Sequence, residues 1–167
     1  MTHAARQALI AAAYGVSLAI GAAAAQAVAA PAAIAQPPAQ GVRRLQSAYG
    51  FDETVARIRA DIAAKGIKFF TEIDQSKLGE GANIALRPSK LLLFGNPPLG
   101  VQFLTANPYA GLDWPVRILV FQDAGGKVWV AYTDFRYIAD RYELKDRDAQ
   151  VAMASEVAGS IAESVGR

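Results

Sequence analysis

The chain has 167 residues, of which 53% are hydrophobic and 19% are charged, and its formal net charge is +2. It has no cysteine and a single histidine, His3, which excludes disulfide bonds, Cys/His zinc sites, c-type haem attachment and cysteine nucleophiles. Basic and acidic residues are interspersed, and Arg43-Arg44 is the only adjacent basic pair. Nucleic-acid binding needs a concentrated positive surface, so we expect no nucleic-acid partner.

The N-terminal segment has the layout of a secretory signal peptide. After a weakly basic start containing Arg6, residues 7–25 are uncharged and rich in alanine, and Ala25-Gln26-Ala27 offers the small residues that signal peptidase reads. We therefore expect residues 1–27 to be cleaved. A second acceptable cleavage site follows Ala35, and an uncleaved membrane anchor is the alternative, because the apolar stretch is only marginally long enough to span a bilayer.

Cleavage of the signal peptide would exclude further kinds of catalytic site from the mature protein. Cleavage of residues 1–27 would remove His3, so the mature chain would have no Ser-His nucleophile pair. No cysteine follows either cleavage site, which excludes a lipid-anchored lipoprotein. We expect a periplasmic or secreted protein without stable membrane insertion after cleavage.

One folded domain is predicted to follow a leader. Residues 28–42 are uncharged and rich in alanine, proline and glutamine, which is typical of a flexible leader, and residues 43–167 form the predicted domain. Within it, alternating and helical apolar patterns predict strands at 45–49, 67–73, 91–94, 115–121 and 128–133, and helices at 53–65, about 97–106, after Asp134, and at 149–165.

Three of these patterns carry specific expectations. In the second strand Phe69 and Ile73 belong to a set of alternate residues, so they are predicted to share one face. The 115–121 strand is apolar on both sides, which predicts a central strand covered at least in part on both faces.

In the last helix an apolar stripe recurs every four residues, with alanines beside it that allow close approach to the sheet: Met153, Val157, Ile161 and Val165. Residues 75–88 show no clean period and are predicted to be a loop with a helical turn, and residues 109–114 are predicted to be a loop.

The order of elements predicts an α+β fold. A hairpin across Asp123 to Lys127 and long flanking helices favour a two-layer sandwich, with a mostly antiparallel sheet of four or five strands and the helices packed on one face.

Several short motifs resemble the DUF302 family, a widespread set of bacterial and archaeal domains of undefined function. They are Arg87-Pro88, Phe94-Gly95-Asn96-Pro97, Gly100, Leu112-Asp113-Trp114-Pro115 and Tyr132-Thr133-Asp134. The resemblance covers about residues 45–145, with Trp114 where family members commonly have leucine. It implies a compact α+β domain that tends to self-associate, and it supplies no substrate, cofactor or catalytic residue.

Polar and aromatic residues gather at the predicted strand ends, and we take them as the candidate lining of a ligand pocket. They are Arg87, Lys90, Asn96, Asp113, Trp114, Tyr132 and Asp134. No catalytic residue, metal ligand or cofactor is assigned.

Each candidate also has a purely structural interpretation. Strand-end cations usually pair with nearby aspartates such as Asp74 or Asp113, and aspartates at these places usually cap turns or helices. The turn from Gly95 to Gly100 resembles an anion-binding loop, but its two prolines remove N–H donors, which favours a plain strand-to-helix turn. Four aromatic side chains form either a ligand pocket or core and dimer packing: Tyr109, Trp114, Trp129 and Tyr132.

Three functions remain open at this level. The first is a non-enzymatic exported domain that binds a small ligand or a partner. The second is a homo-oligomeric structural or interaction module. The third is an enzyme that uses only carboxylates, with a hard metal ion held by Asp74, Asp113 and Asp134.

Overall fold

The computed structural model describes residues 39–166. The predicted signal peptide, both cleavage sites and most of the predicted leader lie outside the described residues. The strands are β1 (Val42–Gln46), β2 (Lys68–Asp74), β3 (Ser89–Gly95), β4 (Val116–Gln122) and β5 (Val128–Thr133). The helices are α1 (Phe51–Ala64), α2 (Gln75–Gly81), α3 (Pro97–Ala106), α4 (Phe135–Arg141) and α5 (Asp148–Glu163), with a 3₁₀ turn at Pro108–Leu112.

The predicted α+β fold is confirmed. The five strands form one antiparallel sheet in the order β1-β5-β4-β3-β2. Helices α1 and α5 pack on one face of the sheet, where Leu92, Ile118 and Val130 are completely buried. A second apolar cluster joins α3, α4 and α5 beside this main core.

The opposite face of the sheet remains partly exposed. Strand β4 is central, as its two apolar sides predict, but its outward side chains belong to neither core cluster. Within residues 39–166, helices therefore cover β4 on only one face of the sheet, and the expected cover of its second face is absent. The half-buried outward apolar side chains, which we call the outer face, are Leu91, Leu93, Leu119, Phe121 and Trp129.

A bulge in β2 makes the predicted alternation wrong. Phe69 pairs with Phe94 on the helix-covered side, but the register shifts between Phe69 and Thr71. Ile73 consequently pairs with Leu91 and points to the outer face, where it is exposed. The extra residue, Phe70, follows neither face pattern, because a bulge sets two residues against one partner.

The predicted apolar stripe of the last helix is met except at its first residue. Ile161 and Val165 are completely buried and Val157 packs against the core, but Met153 is exposed. The alanines beside the stripe, Ala154, Ala158 and Ala162, are buried because small side chains let the helix approach its neighbours closely.

The segment predicted to be a loop with a helical turn contains a seven-residue helix. Residues 75–81 form α2, which begins where the Asp74 carboxylate accepts a hydrogen bond from the Lys77 N–H at 3.1 Å. Within the described part of the chain, no helix combines the length and apolarity needed to cross a membrane.

Candidate functional site

A cavity of about 420 Å³ lies at the end of the sheet where β3 leads into α3. The face of α5 that carries Met153 and Val157 forms the opposite wall. Most of the lining is apolar, and large buried rings contribute to it. The main apolar residues around the cavity are Phe94, Leu99, Phe103, Trp114, Val116, Phe135, Met153 and Val157.

Glycines make room for the Trp114 side chain in the cavity wall. A methyl group at Gly95 would lie 3.3 Å from Trp114 Nε1, and one at Gly100 would overlap the indole ring. The indole also contacts the Phe70 ring in a T-shaped arrangement, with ring centres 5.8 Å apart and planes at 76°. The turn from Gly95 to Gly100 therefore accommodates an aromatic ring against its backbone.

Asn96 shapes the same turn. Its side-chain oxygen accepts a hydrogen bond from the Leu99 N–H at 3.4 Å, and Pro97 occupies the first position of α3. Both residues have the roles expected at a helix start. The structure thus supports the strand-to-helix interpretation of this turn, and it also places Asn96 and Trp114 together in the cavity lining.

Three polar residues that the sequence did not single out also line the cavity. They are Lys65, Glu156 and Ser160. Lys65 follows α1 and binds the Asp61 carboxylate at 2.6 Å. Only folding brings α1 and α5 to the same opening, so no local pattern marks these positions as a site.

A second, polar groove adjoins the cavity on the β1 side of α5. It encloses about 770 Å³ and shares Phe135, Glu156 and Ser160 with the cavity. Side chains of both charges line it, together with one tyrosine and two serines: Arg43, Arg44, Arg136, Asp134, Glu156, Glu163, Tyr132, Ser155 and Ser160.

Tyr132 and Asp134 lie in this groove. Burial raises the pKa of Asp134, but hydrogen bonds from the Arg136 N–H and the Arg43 guanidinium outweigh that effect and hold the pKa below its usual value. The Arg43–Asp134 ion pair measures 2.6 Å. Burial raises the pKa of Tyr132.

Asp113 belongs to a separate cluster. Its buried carboxylate accepts a hydrogen bond from the Tyr142 hydroxyl at 2.6 Å and forms ion pairs with Arg117 and, at 3.3 Å, with Arg141. The Asp113 carboxylate raises the pKa of Tyr142 by holding the phenolic proton. This arrangement ties the segment before β4 to the end of α4, which is a structural role.

Lys90 and Arg87 line neither the cavity nor the groove. Lys90 pairs with Glu72 at 3.2 Å and with Asp74 at 3.9 Å, as the strand-end interpretation expects. Arg87 is exposed, and its backbone carbonyl accepts a hydrogen bond from Ser76.

Two larger groups of residues considered from the sequence, the four aromatic side chains and the three aspartates, do not come together in the structure. Tyr109 is exposed, and Trp129 lies on the outer face, so the four aromatic residues do not share one pocket. Asp74, Asp113 and Asp134 each engage a different partner. Among residues 39–166, no three acidic or histidine side chains come together as a metal site would require.

Comparison with known protein families shows which family this chain belongs to. The profile described as "Domain of unknown function DUF302" matches residues 43–163. The chain belongs to the DUF302 family. A crystal structure of an uncharacterised conserved DUF302 protein from Bacillus stearothermophilus superposes with a TM-score of 0.69 at 14% identity, covering 76% of this chain and 99% of that one.

Curated relatives of this DUF302 chain carry a channel name. Two proteins named "Fluoride-specific ion channel FluC 1", from Brucella suis biovar 1 and Brucella abortus biovar 1, are each 32% identical to it over 120 residues. The match covers 72% of this chain but 47% and 44% of those proteins. The chain thus spans less than half the length of these relatives.

Substitution of Gly100 by alanine tests the contact between the turn and Trp114. Because the added methyl group would overlap the indole, we expect G100A to lower the free energy of unfolding by about 1–3 kcal/mol, the usual cost of overpacking. Urea denaturation measures it. G81A is the matched control, since a methyl group at Gly81 meets nothing within 4 Å; equal stability of the two variants would contradict the contact.

Substitution of Tyr142 by phenylalanine tests the Asp113 cluster through its pH dependence. The folded state raises the pKa of Tyr142, so its stabilising contribution is complete below the unfolded value of about 10 and is lost as the pH rises above it. We expect Y142F to be less stable than the wild type at pH 7, and the difference to narrow above about pH 10. Urea titrations at several pH values measure both proteins, and a constant difference would refute the expectation.

Proposed function

We propose that this DUF302 domain is an exported, non-enzymatic protein that binds a small, largely apolar molecule in the cavity beside Trp114. The observation that carries the proposal is the cavity itself, whose volume of about 420 Å³ falls in the range of about 300–1,000 Å³ typical of ligand sites. Its sequence supports export through the predicted signal peptide at 1–27. Fractionation of the producing cell, with cytoplasmic and periplasmic marker enzymes, tests the export.

The composition of the walls supports an apolar ligand. Aromatic and aliphatic side chains supply most of the lining, while Asn96, Lys65 and Glu156 provide a small number of polar groups. This combination is characteristic of ligand pockets, where burial of apolar surface provides affinity and a few polar groups orient the ligand.

The curated relatives raise fluoride as a competing ligand. A small, strongly hydrated anion gains little from apolar walls, because removing it from water is costly without several hydrogen-bond donors or cations. Fluoride is therefore included in the binding experiment below as an alternative ligand, and we expect it to have no effect on the cavity.

A larger side chain in the cavity should weaken ligand binding. Val157 lines it and is half buried, so V157F places a ring where the ligand would lie. The probe is the neutral dye N-phenyl-1-naphthylamine, added to a W129F protein in which Trp114 is the only tryptophan. We expect energy transfer from Trp114 to the bound dye, and a loss of affinity of at least about tenfold in V157F.

The control is V101F, the same substitution at an exposed position of α3. It should bind the dye as the parent does, and sodium fluoride should not displace the dye. Unchanged binding in V157F, or no dye binding by the folded parent, would refute the cavity as the ligand site.

The outer face supports a second candidate function, self-association. Leu91, Leu93, Leu119 and Phe121 form a contiguous half-exposed apolar surface on neighbouring strands. At its border the Arg44 guanidinium lies 4.3 Å from the centre of the Trp129 ring. Apolar patches of this kind commonly mark protein interfaces, and we propose a second copy of the chain as the partner in a two-fold arrangement, in which both copies use the same surface.

Replacement of Leu119 by lysine tests this interface. Two copies of an introduced charge at the centre of a symmetric apolar contact would be desolvated without partners, so we expect L119K to be monomeric where the parent is dimeric. Light scattering coupled to size exclusion measures the mass, with V101K as the exposed control. A monomeric parent, or a dimeric L119K protein, would refute the interface.

A further inference from the structure

The apolar cavity and the polar groove are adjoining parts of one cleft along α5. Residues Met153, Ala154 and Val157 face the cavity, whereas Ser155, Gly159 and Glu163 face the groove. Phe135, Glu156 and Ser160 line both. A ligand longer than the cavity would therefore pass from apolar walls directly into a charged environment.

The groove carries charged side chains of both signs. Its carboxylates are Asp134, Glu156 and Glu163, and its guanidinium groups are those of Arg43 and Arg136, because the Arg44 guanidinium lies over the Trp129 ring on the outer face. Arg43 and Asp134 pair with each other at 2.6 Å.

Three charged groups of the groove remain accessible to a ligand. Arg136 acts electrostatically on Asp134, but within residues 39–166 its side chain forms no ion pair, and neither do those of Glu156 and Glu163. All three side chains are exposed. Glu156 stands where the cavity meets the groove, so a cationic group just outside the apolar part of a ligand would reach it.

We infer that the ligand of this cleft is a zwitterionic amphiphile, with an apolar chain in the cavity and a head that carries both an ammonium and an anionic group in the groove. The inference rests on the proposed ligand-binding function of the cavity. The ammonium group lies against Glu156, and the anionic group lies against Arg136, whose planar guanidinium suits a carboxylate or a phosphate.

The presence of both signs in the groove disfavours other heads. An anionic head alone would meet three carboxylates, and a cationic head alone would meet the guanidinium groups of Arg43 and Arg136. A neutral head would displace water from charged side chains without replacing the lost hydrogen bonds, which costs free energy. A dipolar head satisfies both signs at once.

Displacement of bound N-phenyl-1-naphthylamine by amphiphiles with the same dodecyl chain tests the inference. The competitors, each used below its micelle concentration, are N-dodecyl-N,N-dimethylglycine, in which the ammonium adjoins the chain and the carboxylate is distal, dodecyl maltoside, laurate and dodecyltrimethylammonium. We expect N-dodecyl-N,N-dimethylglycine to displace the dye at a concentration about tenfold lower than any of the others. Equal or better displacement by the neutral, anionic or cationic competitor would overturn the inference.

Two variants assign the effect to the groove. Glu156→Gln and Arg136→Gln should each reduce the advantage of N-dodecyl-N,N-dimethylglycine over dodecyl maltoside to about threefold or less, in line with the loss of one charge-assisted contact. Arg136 lies outside the cavity lining, so Arg136→Gln should not weaken binding of the neutral dye, and Glu80→Gln, on the exposed side of α2, should change nothing. An unchanged advantage in both groove variants would overturn the inference, whereas absence of dye binding in the parent would refute the proposed function itself.

Discussion

The packing of the Trp114 indole against the backbone of Gly95 and Gly100 determines the shape of this end of the molecule. A side chain at Gly100 would occupy the space of the ring, and one at Gly95 would press against it, so the indole can lie against the turn between β3 and α3 because Gly100 has no side chain. Protein interiors are close-packed, and the ring fills part of the space between sheet and helices. The remaining part is the cavity, whose walls include Trp114, Asn96 and Val157.

Local chemistry made part of the fold predictable. Asn96 and Asp134 accept hydrogen bonds from the first turns of α3 and α4, as their position before helical patterns indicates. The bulge after Phe69 and the exposure of Met153 were not predictable. The bulge depends on the register with β3, and Met153 is exposed because the start of α5 borders the cavity. Neither can be read from the neighbouring residues of the sequence.

The residues of the candidate site also differ in how far the sequence could predict them. Asn96 and Trp114 were found because turn residues between strands stand out in the sequence, and the structure places both in the cavity lining. Glu156 and Ser160 were missed because they resemble any polar positions on a helix until α5 is placed against the sheet. Asp113 stood out equally strongly in the sequence, yet its carboxylate is fully engaged by Tyr142 and two arginines. A polar residue at a strand end is thus a weak indicator of a site, because the fold needs such residues for its own turns.

The two proposed binding surfaces lie on opposite sides of the same strands. Phe94 and Val116 are paired across β3 and β4 and line the cavity. Leu93, next to Phe94 on β3, and Leu119, three residues after Val116 on β4, point to the outer face. Successive side chains of a strand alternate between faces, so a second copy on the outer face would leave the cavity and the groove open. Ligand binding and self-association are therefore compatible functions of one sheet. Any coupling between them has to pass through β3 and β4, since these strands contribute side chains to both surfaces.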